Sequence, residues 1–238
     1  KRDYYIWRKP KFKNGKEVEP TNWASFFGGS CWQKDETTGE YYMKIFSKKM
    51  PDLNWANPSV REDMKKMALW WLDLGIDGFR IDAVAHIGRG NFVDSRMKSN
   101  DYYKPDWRKF SNLPILHNYL KEMNHDVFST KDIVVVGEVG GGAKVSEAIR
   151  YAGFKSEEMN MVFNFDHNWC NNLWDISNLD DLEINLLELK KHFKNWQYGL
   201  YNKSWTPIYW LNHDHPRVMS AYGNVKELKL SGKMLANS

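Results

Sequence analysis

The sequence predicts an α/β fold built from parallel βα units, and two observations support this fold class. Short apolar runs alternate with amphipathic helical patterns from residue 59 onward. The apolar runs lack the polar alternation of a half-exposed strand, as expected for parallel strands that are buried on both faces. In addition, the polar residues that interrupt these runs lie at the carboxyl end of each predicted strand.

The composition argues against several classes of partner. The 34 lysine and arginine residues nearly balance the 30 aspartate and glutamate residues, so we expect no nucleic acid partner. No apolar run approaches the ~18 residues of a membrane span, so we expect no membrane partner. Cys31 and Cys170 lie far apart without metal-ligand spacing. A single disulfide stays open, but free thiols in a reducing, cytoplasmic compartment are the simpler interpretation.

Residues 1–50 are expected to be rich in loops. The stretch from Lys9 to Trp23 contains two prolines and an Asn-Gly turn signal, which indicates an exposed excursion. A short aromatic strand is predicted from Glu40. The chain opens on KRDYYIWRKP, without an initiator methionine or a signal-peptide pattern, so we expect it to be the interior of a longer protein.

The first long helix is predicted to follow an N-cap at Ser59. Glu62 occupies the capping-box position, and Gly75 is a stop signal. Trp70 and Trp71 fall on this helix, where we expect them to be buried against the sheet.

The remaining elements continue the alternation. Strands are predicted over residues 77–85, 132–138, 160–165 and 206–214, and helices over residues 113–128, 143–153, 182–200 and the last fifteen residues. A strand followed by a helix, four times over, is the order of successive βα units.

Polar residues mark the carboxyl end of each predicted strand. They are Arg80 and Asp82, Glu138, Asn164 and Asp166, and His213 and Asp214. In a parallel (β/α) barrel the carboxyl ends of all strands meet at one face, where substrates bind. Asp82 on its own is equally well explained as an N-cap, but three carboxylates on three strands predict a site. We therefore expect Asp82, Glu138 and Asp214 to point into one mouth.

The residue types and their spacing predict nucleophilic and acid–base chemistry. Arg80 and Asp82 are two apart on a strand and share a face, so the guanidinium can hold the carboxylate ionised, as a nucleophile requires. Glu138 ends a strongly apolar strand, where we expect desolvation to raise its pKa towards that of a proton donor. Two carboxylates in different environments are the arrangement for glycoside hydrolysis.

Four blocks carry a family resemblance. GFRIDAV, VVGEV and LNHDHPR, in this order, and MPDLNWANP before them resemble blocks of the α-amylase superfamily, glycoside hydrolase family 13. The wider match resembles its oligo-1,6-glucosidase and α-glucosidase branch. The resemblance implies that residues 51–238 form about strands four to seven of a (β/α)8 TIM barrel, a partial catalytic domain A. It also implies that residues 1–50 are the carboxyl-terminal part of an inserted, loop-rich domain B.

The resemblance implies a role for five site residues. Asp82 matches the nucleophile, Glu138 the general acid/base, and Asp214 the third carboxylate, which holds sugar hydroxyls and stabilises the transition state. Arg80 matches the arginine that orients the nucleophile, and His213 a histidine that contacts the −1 sugar. The family is retaining, so the Asp82 and Glu138 carboxyl groups are expected about 5–5.5 Å apart. No cofactor is implied.

The implied activity is that of an α-glucosidase that hydrolyses terminal α-1,4 or α-1,6 bonds of short oligosaccharides of the maltose or isomaltose type. Ala83 stands where relatives that cut α-1,6 bonds usually carry Val, which favours α-1,4 or mixed linkage. Leu211 and His215 differ from the Asn and Gln of many relatives. His213 and His215 share a face, but no third ligand has suitable spacing, so no metal is expected.

Other functions stay open. A glucosyl transferase, a sucrose isomerase and a trehalose-6-phosphate hydrolase share the same chemistry. A non-catalytic, glycosidase-like transporter subunit is the alternative from another class, although the retained carboxylates weigh against it. The family's first strands, eighth strand and carboxyl-terminal β domain have no counterpart here, so we expect the chain alone to be inactive and insoluble or oligomeric. His167, beside Asn164 and Asp166, is a further candidate site residue.

Overall fold

The computed structural model describes residues 1–140, 142–173, 175–178 and 181–222. The chain divides into two compact units, Lys1–Val135 and Val136–Ser238, and each unit is described by itself. Within the described ranges, no helix is long and apolar enough to cross a membrane.

The first unit begins with short antiparallel strands. One sheet has three strands in the order β1 (Trp7–Arg8), β5 (Tyr41–Met43) and β4 (Trp32–Lys34). A separate hairpin pairs β2 (Lys11–Lys13) with β3 (Lys16–Val18). Asn14 and Gly15 form the hairpin turn with φ values of 50° and 73°, the conformation that an Asn-Gly pair favours. Most of the first 50 residues lie outside these strands.

Aromatic and sulfur-containing side chains make up most of the core of this region, together with Ile6 and Ile45. Trp23, Cys31 and Met43 are fully buried in one cluster, and Phe110 joins them from a distant part of the chain. Burial of a ring such as that of Phe110 contributes about 1.5–3 kcal/mol relative to exposure. This contact attaches the loop that contains Phe110 to the strands of the first 50 residues.

Helix α1 (Pro58–Asp73) begins earlier than predicted, and its N-cap is Asn57. The Asn57 side chain accepts a hydrogen bond from the Ser59 N–H at 2.9 Å, and a proline occupies the first helical position, where its missing N–H costs nothing. The predicted cap at Ser59 with its Glu62 capping box is therefore wrong. The helix ends shortly before Gly75, as predicted.

One face of α1 is apolar and exposed to solvent. Met67, Trp70, Trp71 and Leu74, which we call the α1 stripe, recur at helical spacing and keep 45%, 56%, 43% and 60% of their surface exposed. The prediction that the two tryptophans are buried is therefore wrong. Apolar periodicity predicts which residues share a face, but it does not predict what covers that face.

The next strand, β6 (Gly78–Ile81), is shorter than the predicted strand over residues 77–85. Gly78 has a φ of 147°, and a Cβ at this position would lie 1.9 Å from the carbonyl oxygen of Val134. Beside it, the Val134 N–H donates to the Asp77 carbonyl at 3.0 Å. Only glycine therefore fits at the start of β6.

Two predicted elements follow in the expected order. Helix α2 (Pro114–Asp126) lies within the predicted helix, and β7 (Val134–Glu138) begins in the first unit and ends in the second. In the second unit β7 pairs in parallel with β8 (Met161–Phe163). Helices α3 (Val145–Ala152) and α4 (Leu186–Leu200) alternate with the strands along the chain. The predicted mixed α/β architecture is confirmed.

The predicted strand over residues 206–214 is wrong. In the described part of the second unit, the nearby backbone bridges join Trp205 to Met161 and Ser204 to Gly153, both before this segment. Pro207 has no N–H to donate to a ladder, so it breaks the row of backbone donors. A short helix, α5 (Val218–Tyr222), comes next. The helix predicted over the last fifteen residues lies outside the described residues.

Both cysteines are free, buried thiols. Cys31 lies in the core of the first unit and Cys170 in a cluster of the second with Leu189 and Tyr222. Burial raises the pKa of the Cys31 thiol to about 12 and that of the Cys170 thiol to about 11. Both therefore stay protonated near neutral pH, where the less reactive thiol form predominates.

Candidate active site

Arg80 and Asp82 meet at the carboxyl end of β6. Asp82 is the first residue after the strand, and the Arg80 Nη1 lies 2.7 Å from the Asp82 Oδ1. The predicted ion pair is therefore present. It is not buried: the two side chains keep 38% and 69% of their surface exposed. An exposed pair adds little to stability, so its main physical effect is to orient the carboxylate.

The backbone turns immediately after Asp82. Ala83 has φ 46° and ψ 33°, in the left-handed region, and the next residues, Val84–His86, form a 3-10 turn. The His86 N–H donates to the Ala83 carbonyl at 2.9 Å. This corner ends β6 before the predicted boundary and leaves the Asp82 side chain at the end of the strand.

A buried histidine supports the turn. The His86 Nδ1 lies 3.0 Å from the Ser111 hydroxyl, and its ring lies 4.8 Å from that of Phe26. Burial, together with the charge of Arg89, lowers the pKa of His86 to about 4. The imidazole is therefore neutral at physiological pH, and its packing and hydrogen bond stabilise the turn that follows Ala83.

A second contact fixes the same loop. The Arg89 Nη2 lies 2.8 Å from the Asp52 Oδ2, and both side chains are nearly buried at 11% and 12% exposure. Arg89 also donates to the carbonyl groups of His86 and Gly88. The pair joins the MPDLNWANP block to the loop that follows Asp82. Sequence reasoning missed it, because nothing in either local pattern indicates a partner so distant along the chain.

Glu138 lies at the carboxyl end of its own strand in the second unit. It is half-buried, and it lies opposite Phe163 of β8 in the parallel register. Asn164 directly follows β8, so Glu138 and Asn164 lie at the same edge of this strand pair. The Val139 N–H, which donates to the Phe163 carbonyl at 3.0 Å, extends the pairing past Glu138.

His213 and Asp214 lie together in a turn organised by Asn212. The Asn212 Oδ1 accepts from the Asp214 N–H at 2.9 Å and lies 2.8 Å from the His215 Nδ1. The His213 Nε2 lies 3.3 Å from the Asp214 Oδ2, with 68% and 54% of these side chains exposed. Sequence reasoning missed Asn212, although an Asn two residues before a turn residue is a typical signal for such a bond.

The two histidines of this turn have different partners. The His215 ring stacks on that of Phe165 at 5.3 Å and contacts Trp169, whereas His213 contacts Asp214. Among the residues that the structure describes, no group of three His, Cys, Asp or Glu side chains is placed to hold a metal ion.

His167 and Asp166 make internal contacts. The His167 Nε2 lies 2.6 Å from the Tyr209 carbonyl oxygen, so this nitrogen carries the proton, and burial lowers the pKa of the ring. The Asp166 carboxylate accepts from the Trp196 indole N–H at 2.7 Å. Trp196 is buried. These contacts assign His167 a packing role, in place of the site role considered from the sequence.

The structure therefore brings together two of the predicted pairs. Arg80 contacts Asp82 in the first unit, and His213 contacts Asp214 in the second. Glu138 also belongs to the second unit. The meeting of the three carboxylates in one mouth stays a prediction.

Known proteins resemble this chain over nearly its whole length. The family model for the catalytic domain of α-amylase matches residues 1–238. An oligo-1,6-glucosidase of Halalkalibacterium halodurans is 44% identical over 99% of this chain, which spans 41% of that relative's length. Two solved structures each match 93% of this chain, and the match covers 38% of the length of each. They are a trehalose-6-phosphate hydrolase of Bacillus licheniformis (36% identity, TM-score 0.82) and an isomaltulose synthase of Erwinia rhapontici (34%, 0.79). The chain thus belongs to the α-amylase family, glycoside hydrolase family 13.

Proposed function

We propose that the protein to which this chain belongs is a retaining α-glucosidase that hydrolyses terminal α-glucosidic bonds of short oligosaccharides. The observation that carries the proposal is the Arg80–Asp82 pair, in which a guanidinium holds an accessible carboxylate at the end of a strand. A carboxylate that is kept ionised and oriented in this way is suited to attack a sugar carbon.

The reaction proceeds by double displacement. Asp82 attacks the anomeric carbon while Glu138 gives its proton to the departing glycosidic oxygen, so a glycosyl ester forms as the glycosidic bond breaks. Glu138, now ionised, removes a proton from water, whose oxygen displaces the Asp82 carboxylate. Asp214 and His213 hold the hydroxyl groups of the −1 sugar, and no cofactor takes part.

The proposed substrates are oligosaccharides of the maltose and isomaltose type. The small side chain of Ala83, next to the nucleophile, favours α-1,4 or mixed linkage. We also propose that the chain supplies about strands four to seven of a TIM barrel, with residues 51–238 in domain A and residues 1–50 at the end of domain B. Asp82 and Glu138, which lie at the carboxyl ends of β6 and β7, support this assignment. Two free, buried thiols support a reducing, cytoplasmic location.

Glucosyl transfer is the second candidate. Similarity to an isomaltulose synthase favours it specifically, because transfer uses the same first step as hydrolysis and differs in whether a sugar or water accepts the glucosyl group. Incubation of the full-length protein with maltose, isomaltose and sucrose separates the candidates by product: glucose release indicates hydrolysis, and new disaccharides indicate transfer.

The roles of the two carboxylates are tested by substitution in the full-length protein. Asp82→Asn should abolish turnover, because an amide cannot form the glycosyl ester. Glu138→Gln should be severe on maltose and milder on a 4-nitrophenyl glucoside, whose leaving group needs no proton. Asp132→Asn, at an exposed position, is the matched control and should keep normal activity. Near-normal turnover by Asp82→Asn would remove the nucleophile assignment.

A further inference from the structure

The segment of residues 206–215, which carries His213 and Asp214, is held within the second unit by side-chain contacts and not by the predicted sheet ladder. The backbone bridges described near it end at Trp205. The turn around Asn212 then fixes the Asp214 backbone locally. The Trp210 ring packs on that of Phe193 and the His215 ring on that of Phe165. Tyr209 adds hydrogen bonds from its side chain and its backbone to these ring contacts.

Tyr209 makes hydrogen bonds through both its side chain and its backbone. Its hydroxyl donates to the Asn164 carbonyl at 2.8 Å and accepts from the Asn168 Nδ2 at 3.0 Å. Its own carbonyl accepts from the His167 Nε2 at 2.6 Å. Both the backbone and the side chain of Tyr209 are therefore bound to the same short stretch of chain.

Ring packing reinforces these bonds. The Tyr209 ring lies edge-on to that of Phe163 at 5.2 Å and to that of His167 at 4.8 Å. Such aromatic pairs add about 0.5–1.5 kcal/mol beyond the area that they bury. The ring is therefore held in one orientation, which aims its hydroxyl at Asn164.

The partners of Tyr209 lie on a fixed element. Phe163 ends β8, Asn164 follows it directly, and His167 and Asn168 lie on the 3-10 turn Asp166–Trp169. The turn is itself held, because the Tyr222 hydroxyl donates to the His167 carbonyl. Tyr209 thus fastens the segment to the carboxyl end of β8, the edge at which Glu138 lies.

We propose that Tyr209 is a positioning residue for the third carboxylate. It sets the place of the Asn212 turn, and through that turn the place of Asp214, without contact to substrate. The inference rests on the proposed function, in which Asp214 holds the −1 sugar more tightly in the transition state than in the ground state. A displaced Asp214 therefore lowers kcat more than it raises KM.

The test compares two tyrosine variants in the full-length protein. Tyr209→Phe and Tyr42→Phe each remove a hydroxyl that donates to a backbone carbonyl at 2.8 Å, so each should lower the Tm by up to a few degrees. On 4-nitrophenyl α-glucoside, Tyr209→Phe should lower kcat/KM about tenfold, mainly through kcat. Tyr42→Phe, which removes a bond made within the first unit, should lower it by less than twofold. A loss below threefold for Tyr209→Phe, or equal losses for both variants, would overturn the inference.

A double-mutant cycle asks whether Tyr209 acts through Asp214. In an Asp214→Asn background, Tyr209→Phe should cost less than twofold, because the carboxylate that it positions is already gone. A full tenfold loss in that background would also overturn the inference. Failure of the proposed function gives a different result, since Asp82→Asn would then keep its turnover whatever the tyrosine variants do.

Discussion

At the residue scale, the left-handed backbone of Ala83 changes what a substitution there will do. A side chain enlarged to Val fills space beside Asp82, the proposed nucleophile, and we expect Ala83→Val to shift preference from maltose towards isomaltose. A methyl-scale change is worth about 1–3 kcal/mol, so the ratio of kcat/KM values should shift without a complete switch. A β-branched residue is also strained at a φ of 46°, so the Tm should fall.

Ala83→Gly separates the two effects of this position. Glycine tolerates positive φ and leaves the pocket open, so the Tm should not fall and the maltose-to-isomaltose ratio should stay within twofold. An unchanged ratio in Ala83→Val would remove Ala83 as a determinant of linkage.

His86 should make stability depend on pH. Its pKa is lowered by burial from 6.5 to about 4, so between these values the unfolded chain binds a proton that the folded protein does not. The free energy of unfolding therefore decreases as pH falls below about 6.5, by about 2 kcal/mol at pH 5, and is unaffected above it. Denaturation at pH 7.5 and pH 5 measures this decrease in the free energy of unfolding. The decrease should be smaller in a His86→Phe/Ser111→Ala variant, which lacks the titrating group. Equal losses in both proteins would contradict the assignment.

At the element scale, the start of β6 depends on one glycine. Gly78→Ala would place a Cβ 1.9 Å from the Val134 carbonyl oxygen, so the strand cannot keep its present pairing. We expect Gly78→Ala to lower the free energy of unfolding by more than about 3 kcal/mol, or to prevent the protein from accumulating in folded form. Gly75→Ala is the matched control, because Gly75 also has a positive φ but open space around it, and it should cost only about 1–2 kcal/mol. Similar melting temperatures for the two variants would refute this account of β6.

The sequence predicts elements well where one local pattern dominates. The long helices follow from apolar periodicity, and β7 and β8 from uniformly apolar runs. Asn57 and Ser59 are both good caps two residues apart, so the sequence alone does not choose between them. The residue type of Ala83 does not indicate a left-handed backbone. The strand predicted over residues 206–214 is absent because Pro207 lacks the N–H of a sheet ladder, and Tyr209 bonds to the stretch after β8 by contacts that the local sequence does not predict. The Arg80–Asp82 pair was predictable because its members are neighbours, whereas Arg89 and Asp52 meet only in three dimensions.

At the scale of the whole molecule, the α1 stripe predicts the behaviour of this chain in isolation. Contiguous exposed apolar side chains promote association. We expect residues 1–238 expressed alone to be insoluble or oligomeric in size-exclusion chromatography and to lack glucosidase activity. A Trp70→Lys/Leu74→Lys variant should shift soluble material towards smaller species. A monodisperse, active monomer of the unmodified chain would show that its site is self-contained.

The corner at Ala83 also has an evolutionary consequence. Under the proposed function, one codon there affects both the aglycone that fits and the cost of the backbone conformation, so a lineage that adjusts the first also alters the second. Proteins near their stability threshold tolerate such a change only after substitutions elsewhere have supplied a reserve. The order in which mutations are fixed therefore matters, and linkage preference in this lineage should show epistasis between position 83 and residues that never touch the sugar.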